Sequence, residues 1–168
     1  MQPGSRSILL AAAILAALVA PAARAQGRGA RDADSLPRWQ SLKSDNVNLR
    51  VGPGNQHPIE WVVKRRHLPV RVLAESDQWR KVSDSNGTTG WVSRALLSTA
   101  RYGVVSGEIR TLRRDPSPDA VAVARLEPGV VGKLLECRDA WCRMEAGGFR
   151  GWIARAEFWG TDPGENFR

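Results

Sequence analysis

The side chains able to do covalent chemistry in this sequence are few, and their spacing matches no reactive centre. Its only cysteines are Cys137 and Cys142, and its only histidines are His57 and His67. A structural zinc site takes four ligands, and these two pairs lie in opposite halves of the chain, so no metal site is expected. Neither a Gly-x-Ser-x-Gly elbow nor a glycine-rich phosphate loop occurs, which removes common hydrolase and nucleotide chemistries. Carboxylates such as Asp77 and Asp84 stand in turn sequences, where Asp serves the backbone. His57 falls in a Gly-Pro-rich loop and His67 in a basic turn, and both read as solvent-facing. The expectation is a protein that is not an enzyme, with no catalytic residues and no cofactor.

Tryptophan is the better lead. There are seven, and four recur as the pairs Trp79/Trp141 and Trp91/Trp152. In a strand running from Trp79 to Val82 these two residues are three apart, so they point to opposite faces. If Val82 faces the core, Trp79 faces outward, and Trp91 and Val92 divide in the same way. Arg50, Trp61, Trp79 and Trp91 are therefore the candidate ligand-binding set, a groove able to hold an extended peptide. The alternative is that these rings pack against a helical turn, the other repeat or the linker. Lys64-Arg65-Arg66 is the densest cationic cluster and precedes Leu68-Pro69 at an exposed turn. It reads either as a solvated turn or as a weak contact with anionic polymers or a membrane surface.

The elements that position these residues come in two copies. Asn48-Leu49-Arg50, Trp79-Arg80-Lys81-Val82 and Gly90-Trp91-Val92 return as Thr111-Leu112-Arg113, Trp141-Cys142-Arg143-Met144 and Gly151-Trp152-Ile153. The offsets are 63, 62 and 61 residues, the drift expected of a duplication with loop trimming. Within the first copy, Ile59 to Val63 suits a strand with Ile59, Trp61 and Val63 on one face. Val70 to Glu75, Trp79 to Val82 and Thr89 to Val92 follow as strands. Asp84-Ser85-Asn86-Gly87 is a hairpin turn, because Asn and Gly tolerate positive φ. Ser93-Arg94-Ala95-Leu96 reads as one helical turn capped by Ser93. Short strands at close spacing over about 60 residues predict a small barrel.

Upstream lies a processing signal. One cation, Arg6, precedes 13 consecutive apolar residues from Ile8 to Ala20, fewer than the roughly 20 a membrane helix needs. Ala23-Arg24-Ala25 then offers a cleavage site between Ala25 and Gln26, completing a secretory signal peptide over residues 1–25; an uncleaved anchor is the alternative. Residues 26–37 read as a flexible linker. The mature protein is expected in the periplasm or secreted, as a monomer. In that setting Cys137 and Cys142 read as a disulfide rather than two free thiols. Export also counts against nucleic acid as a partner, despite a sequence pI near 10.7.

Val47-Asn48-Leu49-Arg50-Val51-Gly52-Pro53-Gly54, Leu68-Pro69-Val70, Trp79-Arg80-Lys81-Val82 and Asn86-Gly87 before Gly90-Trp91-Val92 resemble the bacterial SH3 domain family. The resemblance implies an all-β fold of two tandem small SH3-like β-barrels, at 38–105 and 106–160, with a C-terminal tail at 161–168. It further implies an envelope binding module whose partner is peptidoglycan, its peptides or an envelope protein, or else a structural subunit of an envelope complex. The second copy departs at its first loop, where Arg114-Asp115-Pro116-Ser117 replaces Val-Gly-Pro-Gly, and has Val123 in place of Trp61. An offset of 62 sets Cys137 on Glu75 and Cys142 on Arg80, so a disulfide in one copy stands where the other has an exposed charge pair. Charge divides too: residues 38–105 carry net +6 and residues 106–168 net zero. A ligand site is thus expected on the first barrel.

Overall fold

The computed structural model describes residues 35–168; the expected signal peptide, the expected cleavage site at Ala25–Gln26 and most of the expected linker lie outside the described residues. Alternating burial along short segments produces strands throughout. The first seven are β1 (Arg38–Leu42), β2 (Val47–Arg50), β3 (Ile59–Val63), β4 (Pro69–Ser76), β5 (Trp79–Ser83), β6 (Thr89–Ser93) and β7 (Leu97–Ser98). They form one sheet in the order β3-β2-β6-β5-β4-β1-β7. The next seven are β8 (Tyr102–Val105), β9 (Arg110–Arg113), β10 (Ala122–Leu126), β11 (Val131–Arg138), β12 (Trp141–Ala146), β13 (Phe149–Ala154) and β14 (Phe158–Trp159). Their order, β10-β9-β13-β12-β11-β8-β14, is the first with seven added to every number. The duplication read from the sequence is therefore a duplication of topology, and the protein is all-β with two SH3-like barrels. Tyr102–Val105, placed at the end of the first unit from the sequence, supplies the first strand of the second sheet.

Each sheet curls around its own core. Leu42, Val47, Leu49, Val70, Val72, Val82, Val92 and Leu97 fill the first. Val105, Leu112, Leu126, Leu134, Met144, Ile153 and Phe158 fill the second, together with Cys137 and Cys142. The Gly-Trp motif has a packing cause. A Cβ on Gly90 would lie 2.6 Å from the Cβ of Leu49, and one on Gly151 would lie 2.9 Å from that of Leu112. Only glycine lets β6 and β13 lie this close to the strands they cover. The β5–β6 turn forms as expected: Asp84 Oδ1 accepts the backbone N–H of Asn86 and of Thr88, both at 2.9 Å, and Gly87 takes a φ of +82°. Ser93 does precede a helical turn, a 3-10 turn at Arg94–Leu96, but its hydroxyl makes no capping bond. The turn closes instead through the Leu97 N–H donating to the Arg94 carbonyl.

The barrels touch through aromatic rings. Trp39 of β1 meets Trp159 of β14 edge to face at 4.5 Å between ring centroids. Arg71 lies over the Trp39 ring at 5.6 Å and pairs with Asp162 at 3.1 Å. His67 stacks on Tyr102 at 4.4 Å, so it is a half-buried junction residue and not the solvent-facing one expected. His57 is half-buried as well; its ring fills the space beside Gly52 that a Cβ there would occupy. Residues 161–168 fold back onto the second barrel, where Phe167 exchanges two backbone hydrogen bonds with Cys137 at 2.9 and 3.1 Å.

Candidate functional site

On the outward face of the first barrel, strand register assembles a row of side chains. Arg50 of β2 is the partner of Trp91 of β6, and Trp91 is in turn the partner of Lys81 of β5. Trp79, two residues before Lys81, occupies the diagonal position to Trp91, within reach of a large ring. Alternation holds: Val82 and Val92 are buried while Trp79 and Trp91 are half-exposed. The Arg50 guanidinium donates to the carbonyl of His57 at 2.6 Å. It braces the Val51–Pro58 loop against the tryptophans, so part of its hydrogen-bonding capacity is already spent.

Three of the four candidate residues thus come together; Trp61 does not join them. An irregularity in β3 makes Leu49 the partner of Trp61 but Arg50 the partner of Ile59. Glu60 is the extra residue, and the strict alternation expected of Ile59, Trp61 and Val63 is broken there. Ile59 goes to the Arg50–Trp91 side, and Trp61, opposite Leu49, to the other face of the sheet. Ile59 and Lys81 are the members of the site that the sequence reading missed. Lys81 was legible, lying two residues from Trp79; Ile59 needed the bulge. Lys64, Arg65 and Arg66 are exposed at the turn after β3, as expected. Arg65 also lines a cleft of about 470 Å³ between the barrels, with Asp84, Asn86 and Ser106.

The second barrel has the same register and a closed face. Trp152 pairs with Arg113 and with Arg143, repeating Arg50–Trp91–Lys81. Arg113 braces its loop through the Ala120 carbonyl at 2.9 Å. Here, however, the Arg138 guanidinium lies over the Trp152 ring at 4.5 Å, and Trp152 is only 6% exposed. Arg143 pairs with Glu136 at 3.8 Å. The equivalents of Arg138 and Glu136 in the first barrel are Ser76 and Ala74, which have neither length nor charge to cover Trp91. What the second barrel spends on covering its own tryptophan, the first leaves open.

Hairpin closure differs as well. Cys137 and Cys142 are register partners, disulfide-bonded and buried. Glu75 and Arg80 occupy the same register in β4 and β5. Their pairing is real but not the exposed one expected: Arg80 points inward and is 6% exposed. Its Nε lies 2.9 Å from Glu75 Oε1, and its Nη1 donates to the carbonyls of Asp77 and Trp79, each at 2.9 Å. Arg38 also pairs with Glu75. Even spacing put Arg80 on the core side with Val82; only its charge suggested the surface.

Two copies of one seven-strand topology, each with a loop-braced Arg–Trp pair on its outer face, define a tandem SH3-type β-barrel protein. The chain belongs to the bacterial SH3 domain family, whose profile matches residues 43–99 and again 106–160. It is 22% identical over 127 residues to YrvJ of Bacillus subtilis strain 168, named as an N-acetylmuramoyl-L-alanine amidase, an alignment covering 65% of this chain and 24% of that one. Among solved structures it is similar to NlpC2 of Trichomonas vaginalis, at 12% identity and a TM-score of 0.35, over 74% of this chain and 48% of that one. An NlpC/P60 family protein of Bacillus cereus gives 12% identity and a TM-score of 0.34, over 75% and 57% of the two chains. The chain therefore spans about a quarter to somewhat over half the length of these relatives.

Proposed function

We propose that this protein is an exported, non-catalytic module of the cell envelope that binds peptidoglycan or its peptides through the outer face of the first barrel. The observation that carries the reading is the difference between Trp91 and Trp152: one register, with the ring half-open in the first barrel and covered by Arg138 in the second. Trp79 and Trp91 offer flat apolar surface to an extended peptide or a sugar ring. Lys81 offers a cation to a peptide carboxylate, and Ile59 a rim. The net +6 of the first barrel suits an anionic wall polymer. Support also comes from the relative named as an amidase of the muramoyl–alanine bond. The signal-like leader is consistent with delivery to that compartment, the periplasm or the cell exterior.

Co-sedimentation with purified sacculi tests it. The protein is expected to pellet with the wall, and Trp91→Ala to reduce the bound fraction at least tenfold. Lys81→Glu, a surface change, should do so without altering the melting temperature. Failure to pellet at both low and high salt removes the reading.

A further inference from the structure

The open edge of the first sheet carries a separate surface. Among the described residues, β3 ends the sheet and pairs only with β2, so none of them covers the backbone groups on its other side. Natural edges of this kind are usually kept short or studded with charge to prevent strand addition. This one instead exposes Trp61 at 55% and Val62 at 50%, neither of which the core requires. The equivalent edge, β10, reads Ala122-Val123-Ala124-Arg125-Leu126, with small residues and an exposed arginine. The irregularity at Glu60 disturbs β3 at its start; from Trp61 onward it runs straight into the exposed Lys64, Arg65 and Arg66.

We propose that β3 is a docking edge for an extended acidic segment of a protein partner, which adds an eighth strand to the first sheet. Backbone pairing along Trp61–Val63 supplies the register, and contact with Trp61 and Val62 supplies apolar area. Acidic residues at the end of the incoming strand that reaches the turn after β3 meet Lys64 and Arg66, while the position facing Glu60 is not acidic. A second copy of this chain suits the edge poorly. Its own β3 is followed by the same three cations, and its barrel carries the same net +6. This surface is distinct from the Trp79–Trp91 face and does not depend on wall binding.

The test uses synthetic peptides of alternating valine and threonine bearing three aspartates, or three lysines, at one terminus, with each terminus tried. At low salt the purified protein is expected to bind one of the aspartate peptides at least tenfold more tightly than its lysine counterpart. Amide exchange within residues 61–63 should slow at least tenfold in that complex. Lys64→Glu/Arg66→Glu should reverse the charge preference, and Trp61→Thr should weaken binding about fivefold while the fold stays intact. Equal affinity for the two peptides, no binding at millimolar concentration, or protection outside β3 would overturn the proposal. So would concentration-dependent pairing of two protein copies through Trp61.

Discussion

The two barrels share one topology and one register and differ in what closes them. In the second, Cys137–Cys142 locks the β11–β12 hairpin, Arg138 covers Trp152, and residues 161–168 fold back along β11. In the first, Glu75 and Arg80 hold the same hairpin by charge, Ser76 leaves Trp91 open, and the chain continues into β8 where the second barrel has its terminal segment. A domain of this size buries only about 60% of its unfolded surface, so added closure has real weight in its stability. The contrast fits a division of labour in which one copy gives up self-closure for an open face and the other retains it.

The largest effect should come from undoing the closures. Cys137→Ala/Cys142→Ala removes a native disulfide from a small domain and should cost about 2 to 5 kcal/mol. In the first barrel, Glu75→Ala leaves the buried Arg80 guanidinium without its carboxylate, and about 1 to 3 kcal/mol is expected. Denaturant melts followed separately in each barrel by amide signals would rank the two. A loss at Glu75 larger than that at the cysteines would show that charge is the stronger staple. Glu75→Cys/Arg80→Cys sharpens the point. The register is already that of the disulfide, so the pair should oxidise and raise the stability of the first barrel.

The sequence made much of this visible, for reasons that sit in particular residues. Trp79 against Val82 and Trp91 against Val92 alternate faithfully because nothing interrupts β5 or β6. The repeat offset put Glu75 on Cys137 and Arg80 on Cys142, and the strand register agrees. Errors arose where alternation was broken or where a long polar side chain turned inward. The extra residue at Glu60 separated Trp61 from the site and brought in Ile59. Arg80 obeyed strand periodicity against its charge, a conflict that a residue-type reading resolves the wrong way. Trp39, Trp159 and the His67–Tyr102 stack come from contacts between units, for which no local pattern exists.

One substitution should turn the first face into the second. Ser76→Arg places a guanidinium where Arg138 stands in the second barrel, so it should cover Trp91. Wall binding should fall about tenfold, or about 1.4 kcal/mol, with little change in melting temperature because the new side chain lies on the surface. Arg138→Ser is the reverse and should raise the fluorescence quenching of Trp152 by added acrylamide. If Ser76→Arg binds sacculi as well as the parent does, covering Trp91 is irrelevant and the contrast between the faces has no functional meaning.

The smallest effect concerns the segment that only the second barrel has. Burial alone would push the Glu165 carboxyl up; hydrogen bonds from Arg101 and from the Asp162 N–H, with the charges of Arg101 and Arg155, outweigh it and hold it below its ordinary value. The folded state therefore favours the ionised form. Its stabilisation is complete above the ordinary carboxylate value near 4.3 and is lost as pH falls through the lower folded value. Because the pair is partly exposed, the contribution should stay under about 1 kcal/mol. Glu165 positions the chain that leads to Phe167, so the readout is exchange of the Phe167 and Cys137 amides, corrected for intrinsic rates. Protection should drop by up to about fivefold on acidification, and Glu165→Gln should show the lower protection already at neutral pH, with no further step on acidification. A parent protein whose protection does not change with pH would mean that the Cys137–Phe167 bridge holds the segment without its ion pair.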